Sequence, residues 1–321
     1  MNFCVAAAYT GLRIQGCQDP ITAIERQFMD HMAEYGLSYG TPQEYEFRFN
    51  IFAAKDAEFA EINANPEHTF TVGHNKFSTW TPEELKRLLG RLPSTFNEDE
   101  VVILEETNDT AVDWRTKGAV NPVRDQGGCG SCWAFGSTAA MEAEHFIVTK
   151  SLLQLSEQQL VDCDTKSSGC NGGLESYAFS YLSSHGQELR SAYPYTGKTG
   201  TCKFAAASAK VTVKSQTAVA AKSVAQLKAA IAKQPTNVGV EADKSVFNAY
   251  KSGILNSSTC GTKLDHAVVA VGYGNASGQD YYIVRNSWGS SWGESGYIRI
   301  AAVDGAGICG IQLDSRYPTT N

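Results

Sequence analysis

Apolar and polar positions divide the chain into stretches of different texture. Residues 24–63 read as helical. After Thr41-Pro42, which offers an N-cap and a proline at the first helical position, Phe49, Phe52, Phe59 and Ile62 recur at spacings of three, seven and three and share one face. Residues 92–110 are polar and acidic, hold Pro93 and show no periodicity, which predicts a linker. Residues 133–150 lack proline and pattern as a helix starting at or near Ser131-Cys132. Further on, Ala267–Val271, Tyr281–Val284 and Tyr297–Ile300 are short apolar runs separated by glycine-rich turns, and they predict strands. Helices first and strands second predict an α+β body.

Length and composition narrow the class. The 321 residues suggest about two domains. A hydrophobic share of 42% and a charged share of 19% exclude a disordered chain. No run approaches the ~18 apolar residues of a membrane span. A net charge of −7 gives no support to nucleic-acid binding. That charge is unevenly placed: residues 19–107 hold 7 Lys and Arg against 17 Asp and Glu, whereas residues 108–321 hold 19 against 17. An acidic front segment with helical patterning is expected to fold against a nearly neutral body. Residues 1–18 include the apolar stretch Phe3–Ala8, a weak signal-peptide core with no basic residue before it. Nine cysteines favour an oxidising compartment.

The chemistry concentrates in Gln126-Gly127-Gly128-Cys129-Gly130-Ser131-Cys132-Trp133. A thiolate is the nucleophilic form of cysteine, and a helix N-terminus favours it. An imidazole beside Cys132 would hold a thiolate–imidazolium pair and later protonate a leaving amine. His266 lies 134 residues after Cys132, and Asn286 lies 20 residues after His266. An asparagine accepts from one ring nitrogen and orients the imidazole without adding charge. Cys129 and Cys132 also form a C-x-x-C pair, which leaves a thiol–disulfide oxidoreductase as an alternative. No second C-x-x-C accompanies it, so a zinc ribbon is not indicated.

These residues resemble the papain-like cysteine proteases, closest to the cathepsin L group, over roughly residues 24–318. The resemblance rests on Asp113-Trp114-Arg115, the segment Gln126–Trp133, Gly169-Cys170-Asn171-Gly172-Gly173, Asp265-His266-Ala267 and Asn286-Ser287-Trp288-Gly289. It implies a two-domain fold, with a helical left domain and a β-barrel-like right domain. A helical inhibitory prosegment would span 19–107 and the peptidase domain 108–321. By the same resemblance Cys132 is the nucleophile, His266 the general acid and base, and Asn286 the orienter. Gln126 would donate to an oxyanion hole beside the Cys132 backbone N–H, and Trp288 would cover the His–Asn bond. Disulfides Cys129–Cys170, Cys163–Cys202 and Cys260–Cys309 are implied, leaving Cys132 free. The remaining competitor is a homologue that binds without cutting, which intact Cys132, His266, Asn286 and Gln126 speak against.

In the front segment Glu44, Arg48, Phe52 and Asn63 fit the family's prosegment pattern, as do Gly73, Asn75 and Phe77. Lys55 and Phe59 stand where Asn and Ile are usual, and Thr79 replaces an Asp. The segment is expected to lie backwards through the cleft and to be cut away near residues 105–111. Acid would loosen it by protonating its carboxylates and breaking their salt bridges to the body. Matching positions places Gly172, Gly173, Leu174, Glu175, Gly239, Leu264, Asp265 and Asp314 around the substrate, most of them at the second subsite. Gly239 would enlarge that pocket, and Asp314 would pair with a basic side chain. No insertion blocks the cleft, which favours an endopeptidase. Protein and peptide substrates, cystatin-type inhibitors, a monomeric state and a lysosomal, vacuolar or secreted location follow from the resemblance. No metal or organic cofactor is implied. Asn108, Asn256 and Asn275 begin glycosylation sequons.

Overall fold

The computed structural model describes residues 21–94 and 101–321. The apolar stretch Phe3–Ala8, Cys4 and Cys17 therefore lie outside the described residues. The helical region expected over 24–63 is two helices, α1 (Ala23–Tyr35) and α2 (Pro42–Ala64), and α2 starts at the expected cap Thr41-Pro42. The break is local. Gly36 ends α1 in the left-handed region at φ 61°, and Thr41 starts α2 by accepting from the Glu44 N–H ahead of Pro42. The helices cross on aromatic rings: Phe28 of α1 is fully buried, with ring centroids 5.5 Å from Phe49 and 5.4 Å from Phe52. Strand β1 (Thr69–Val72) and a short helix α3 (Pro82–Lys86) complete the front segment before it runs extended.

The unusual residues of the front segment have visible jobs. Phe59 is buried and joins the main core. Lys55 donates to the carbonyls of Phe77 at 2.7 Å and Trp80 at 3.0 Å, and Arg48 donates to the Thr79 carbonyl at 2.8 Å. Two cations therefore hold the turn that carries Thr79.

In the body, one lobe is helical. It comprises α4 (Cys132–Thr149), α5 (Glu157–Cys163) and α6 (Glu175–His185) around Trp133, Met141, Leu160, Phe179 and Leu182. The other lobe is built on a ten-stranded sheet. After the short strands β2 (Val101–Val102) and β3 (Val112–Asp113) come β6 (Val213–Val219), helix α7 (Val224–Lys233), β7 (Thr236–Val240) and helix α8 (Ser245–Asn248), while β4 (Gln187–Glu188) and β5 (Ala209–Val211) pair with each other in a separate two-stranded sheet. Strands β8 (Tyr250–Leu255), β9 (His266–Ala276), β10 (Gln279–Arg285), β11 (Tyr297–Ala301) and β12 (Ser315–Thr320) follow. The three sequence-predicted strands fall inside β9, β10 and β11. Strand order is β1-β8-β11-β10-β9-β7-β12-β6-β2, with β3 on β9. The two outermost strands both come from the front segment. The linker expected over 92–110 is thus partly a strand, because β2 pairs with β6.

The front segment shares the β lobe's core. Phe59, Phe70, Phe77, Leu85 and Leu88 join Phe247, Tyr250, Trp288 and Trp292 in one buried cluster. Gly253 permits β1 to approach: at φ 94°, a Cβ there would lie 2.3 Å from the Thr69 carbonyl oxygen. Asn256, the second sequon residue, donates to the Glu67 carbonyl at 2.8 Å and accepts from Thr69 N–H at 3.2 Å.

The expected salt bridges from front-segment carboxylates to the body do not occur among the described residues. The ion pairs between the two run the other way, Lys76–Asp125 at 2.5 Å, Arg91–Glu175 at 3.1 Å and Arg91–Asp314 at 2.5 Å. A buried imidazole of the front segment also responds to acid. His31 is 4% exposed, packs at 5.1 Å from Phe52 and 6.1 Å from His74, and leaves Nε2 without a partner among the described residues. Burial, then His74, lowers its pKa from 6.5 to about 4, with Lys251 and Lys55 also opposing its charge and only Glu34 favouring it. Burial likewise lowers His74, against Asp56. In the window from 6.5 down to about 4, the unfolded chain binds a proton that folded His31 refuses. Front-segment stability therefore falls as pH drops through that window. Melting the Cys132→Ala chain at pH 7 and pH 4.5 should show a loss that His31→Phe reduces by roughly 2–4 °C. Equal losses in both proteins would remove His31 from the account.

Candidate active site

Cys132 opens α4, and the helix begins there because the glycine-rich loop before it ends in a disulfide corner. Cys129 is bonded to Cys170, with Cα atoms 4.7 Å apart. Ser131 occupies the N-cap but makes no side-chain cap bond; its hydroxyl pairs with Tyr195 OH at 2.8 Å. The positive end of α4 is left facing the thiol. The C-x-x-C redox alternative fails here, since Cys129 is spent on Cys170 and Cys132 is the free thiol among the described residues. The other two disulfides are Cys163–Cys202 and Cys260–Cys309.

His266 and Asn286 come from the sheet. β9 and β10 form a hairpin in which Arg285 faces Val269, so the residue that starts β9 and the residue that follows β10 meet at one end. His266 Nε2 lies 2.8 Å from Asn286 Oδ1. Trp288 stacks on the imidazole at 4.7 Å and is fully buried, which keeps water off that bond. His266 Nδ1 has no hydrogen-bond partner among the described residues. The lobes meet where α4 crosses β7 and β9. A Cβ on Gly136, one turn beyond Cys132, would lie 2.6 Å from Asn237 Oδ1 and 3.8 Å from the Ala267 Cβ. Gln126 is tied to the sheet side: its N–H donates to the Ser287 carbonyl at 2.9 Å, and Ser287 Oγ donates to its Oε1 at 2.7 Å. That fixes the amide so that Nε2 points away from Ser287.

The front segment fills the space between the lobes. Gln126 Nε2 donates to the Leu88 carbonyl at 2.9 Å, as well as to Cys129 O at 2.9 Å. The Gly90 carbonyl accepts from Gly173 N–H at 2.9 Å, and Leu92 N–H donates to the Gly173 carbonyl at 3.0 Å, a parallel bridge. Arg91 N–H donates to the Asp265 carbonyl at 3.0 Å. Asp265 thus faces the cleft with its backbone; its carboxylate accepts from Ala242 N–H at 2.8 Å. No side chain fits at residue 90, because a Cβ there would sit 1.8 Å from the Gly130 carbonyl oxygen. A Cβ on Gly172 would lie 2.9 Å from the Gly90 oxygen.

Arg91 occupies the expected second-subsite pocket. Its Nε donates to Glu175 Oε1 at 3.1 Å and its Nη2 to Asp314 Oδ2 at 2.5 Å. A Cβ on Gly239 would lie 2.9 Å from the guanidinium carbon and 3.0 Å from Leu264 Cδ1. The space that Gly239 leaves is therefore filled by the guanidinium. Ser94 Oγ also donates to Asp314, and Arg316 stands 3.6 Å from its other oxygen. Leu174 is buried at the start of α6, next to Glu175. Sequence reasoning missed Leu88, Gly90, Arg91 and Ser94. The available signal was that Arg91 is the lone base between Arg87 and Arg115 in a chain whose candidate pocket is acidic.

Burial sets the protonation states. It pushes the Cys132 thiol up to about 12, with backbone groups of Ala267 and Gly90 pulling the other way. It pushes His266 down to about 4, opposed by Asn286. With the front segment in place, burial favours the neutral form of each group over the thiolate–imidazolium expected of an open site. Burial also raises Asp265 to about 7. Burial works against the Asp314 charge, but Arg91 and Arg316 outweigh it and hold the carboxyl below the usual range. No group of three or more His, Cys, Asp or Glu side chains able to hold a metal ion occurs among the described residues.

Comparisons with known proteins converge on one group. Residues 108–319 match the profile described as papain family cysteine protease, and residues 28–85 match the cathepsin propeptide inhibitor domain (I29). Germination-specific cysteine protease 1 of Arabidopsis thaliana is 43% identical over 91% of this chain and 83% of its own. Papaya proteinase 4 of Carica papaya is 39% identical over 99% and 94%. Among solved structures, a digestive procathepsin L2 proteinase from Tenebrio molitor larval midgut superposes with a TM-score of 0.86 at 34% identity, covering 92% of this chain and 99% of that one. A recombinant stem bromelain precursor gives 0.82 at 37%, covering 93% and 99%.

The Gly90–Gly130 contact yields a direct expectation. Gly90→Ala forces the strand off the loop before Cys132, since backbone meets the new methyl. Alkylation of Cys132 by iodoacetamide at pH 7, mapped by mass spectrometry, should speed up about tenfold or more as the thiol returns toward an ordinary pKa. An unchanged rate would mean that the segment does not shield the thiol.

Proposed function

This chain belongs to the papain family of cysteine proteases and carries a propeptide inhibitor domain, and from that premise we propose the zymogen of a cathepsin L-like endopeptidase working through Cys132, His266 and Asn286. Once the prosegment leaves, His266 takes the Cys132 proton and the thiolate attacks the peptide carbonyl carbon. The carbonyl electron pair moves onto oxygen, where Gln126 Nε2 and the Cys132 backbone N–H receive it. His266 then protonates the amine nitrogen as the C–N bond breaks, leaving a thioester. Water, deprotonated by His266, attacks that thioester, releases the carboxylic acid product and restores the thiol. Asn286 holds the imidazole plane throughout, and Trp288 shields the bond between them.

The observation that carries this reading is the Leu88 carbonyl seated on Gln126 Nε2 at 2.9 Å. A peptide carbonyl already occupies the donor that an oxyanion would need. The strand carrying it pairs in parallel with Gly173, so a substrate that paired antiparallel there would run the other way. Burial beneath it disfavours the thiolate that cutting requires.

The second subsite takes basic residues, with arginine favoured, by the same logic. Arg91 stands where a substrate side chain would stand and reaches two buried carboxylates, Glu175 and Asp314. Its removal leaves both without that guanidinium, and a substrate arginine restores the arrangement. Gly239 leaves room for a bulky apolar side chain as well. Three disulfides favour a lysosomal, vacuolar or secreted location, which a fluorescent fusion of the full chain would test.

Two substitutions in the activated enzyme test this reading separately. Gln126→Leu should lower kcat by about 10²–10³ with little change in KM. Asp314→Ala should cut kcat/KM at least tenfold for peptides with Arg at the second position and less than about threefold for those with Phe or Leu. A uniform drop across all three peptides would defeat the assignment of Asp314 while leaving the catalytic one intact.

A further inference from the structure

Residues 86–107 fall between the two matched profiles, and a second contact is built there, away from the cleft. Strand β2 lies parallel to β6, with Val101 facing Ala218 and Val102 facing Val219. Two residues on, Leu104 is 6% exposed and packs with Val219, Ala229, Ala230 and Tyr317. The Gln226 side chain, itself buried, accepts from Leu104 N–H at 2.7 Å and donates to the Leu104 carbonyl at 2.9 Å. One side-chain amide thus satisfies both backbone groups of a residue, as a neighbouring strand would. Val102 and Ile103 are exposed, so Leu104 is the anchor. Glu105 and Glu106, immediately after it, are exposed too.

We propose that the β6 edge, the Leu104 pocket and Gln226 form a peptide-binding exosite of the peptidase domain, whose occupant is the C-terminal end of the prosegment, residues 101–104. The exosite holds the prosegment after the chain is cut in the exposed stretch that follows. The cleft strand at Leu88–Leu92 and the strand at Val101–Leu104 are then two anchors on one fragment. Each raises the effective concentration of the other, so the cut prosegment leaves slowly even though it is no longer covalently joined. A short extended segment with a leucine at its end is the ligand that this surface takes.

The proposal rests on the prosegment being a separable inhibitor, and the test is arranged so that peptidase activity is not needed. A Cys132→Ala chain carries the recognition sequence of a sequence-specific protease inserted after Thr107. It is cut, diluted at pH 5.5, and loss of the front fragment is timed by size-exclusion chromatography. Gln226→Leu should speed release about tenfold, the effect of losing one to two hydrogen bonds. Leu104→Ala, which lies on the fragment and spares the body's fold, should speed it at least as much. Melting of the body freed of its front fragment, unchanged by Gln226→Leu, shows that the body itself is intact. Release at the parent rate in both variants overturns the exosite while leaving the cleft contact and the proposed activity untouched. A parent fragment that departs at once on cutting overturns it as well.

Discussion

Everything at the active site depends on how closely α4 lies against β7 and β9. Cys132 belongs to a helix of one lobe, and His266 with Asn286 to the sheet of the other. The two lobes pack closely where Gly136, a turn beyond Cys132, carries no side chain against Asn237 and Ala267. The strip joining Gln126 to Ser287 holds the same two lobes together one layer out, and it turns the Gln126 amide toward the cleft. A geometry assembled from two lobes needs rigid contacts on both sides. Here these are a disulfide corner before α4 and a tight hairpin between β9 and β10.

The front segment works by substitution rather than by mere obstruction. Its backbone takes the hydrogen bonds of Gly173, Asp265 and Gln126, and Arg91 takes the two carboxylates of the adjacent pocket. The same coverage removes water from Cys132 and His266. In that surrounding the neutral forms win, because a buried charge without solvent costs more than the Asn286 bond returns. Binding and chemical silence are therefore two outcomes of one act of burial.

Much of this was legible in the sequence, and for identifiable reasons. Cys132, His266, Asn286 and Gln126 sit in compact motifs whose spacing survives folding. The helix from Cys132 and the strands β9, β10 and β11 announce themselves by apolar pattern. The pairs Cys129–Cys170, Cys163–Cys202 and Cys260–Cys309 followed from resemblance. The cleft-filling run from Leu88 to Ser94 was not legible. It has no periodicity, and its roles are fixed by backbone groups and one arginine meeting residues far along the chain. Leu104 was hidden likewise, since one apolar residue in a polar stretch carries no pattern. The start of α2 was legible in the cap and proline of Thr41-Pro42, whereas the end of α1 at Gly36 was not drawn. The direction of the ion pairs ran against the net charge, because two well-placed bases, Lys76 and Arg91, outweigh the segment's seventeen scattered acids as contacts.

Strands β1 and β2 stand at the two opposite ends of the sheet. Under the zymogen reading proposed above, both belong to the part of the chain cut away on activation. While attached, they close two rows of backbone donors and acceptors that would otherwise be open to any passing strand. While attached, then, the front segment moves the sheet's edges from β8 and β6 to the shorter strands β1 and β2. After its departure the protection of β8 and β6 rests on local features: β8 is only six residues long and carries Lys251, and β6 carries Lys214. Charged, short borders of that kind disfavour self-association, so the same sheet can be sheltered while young and stay dispersed when mature.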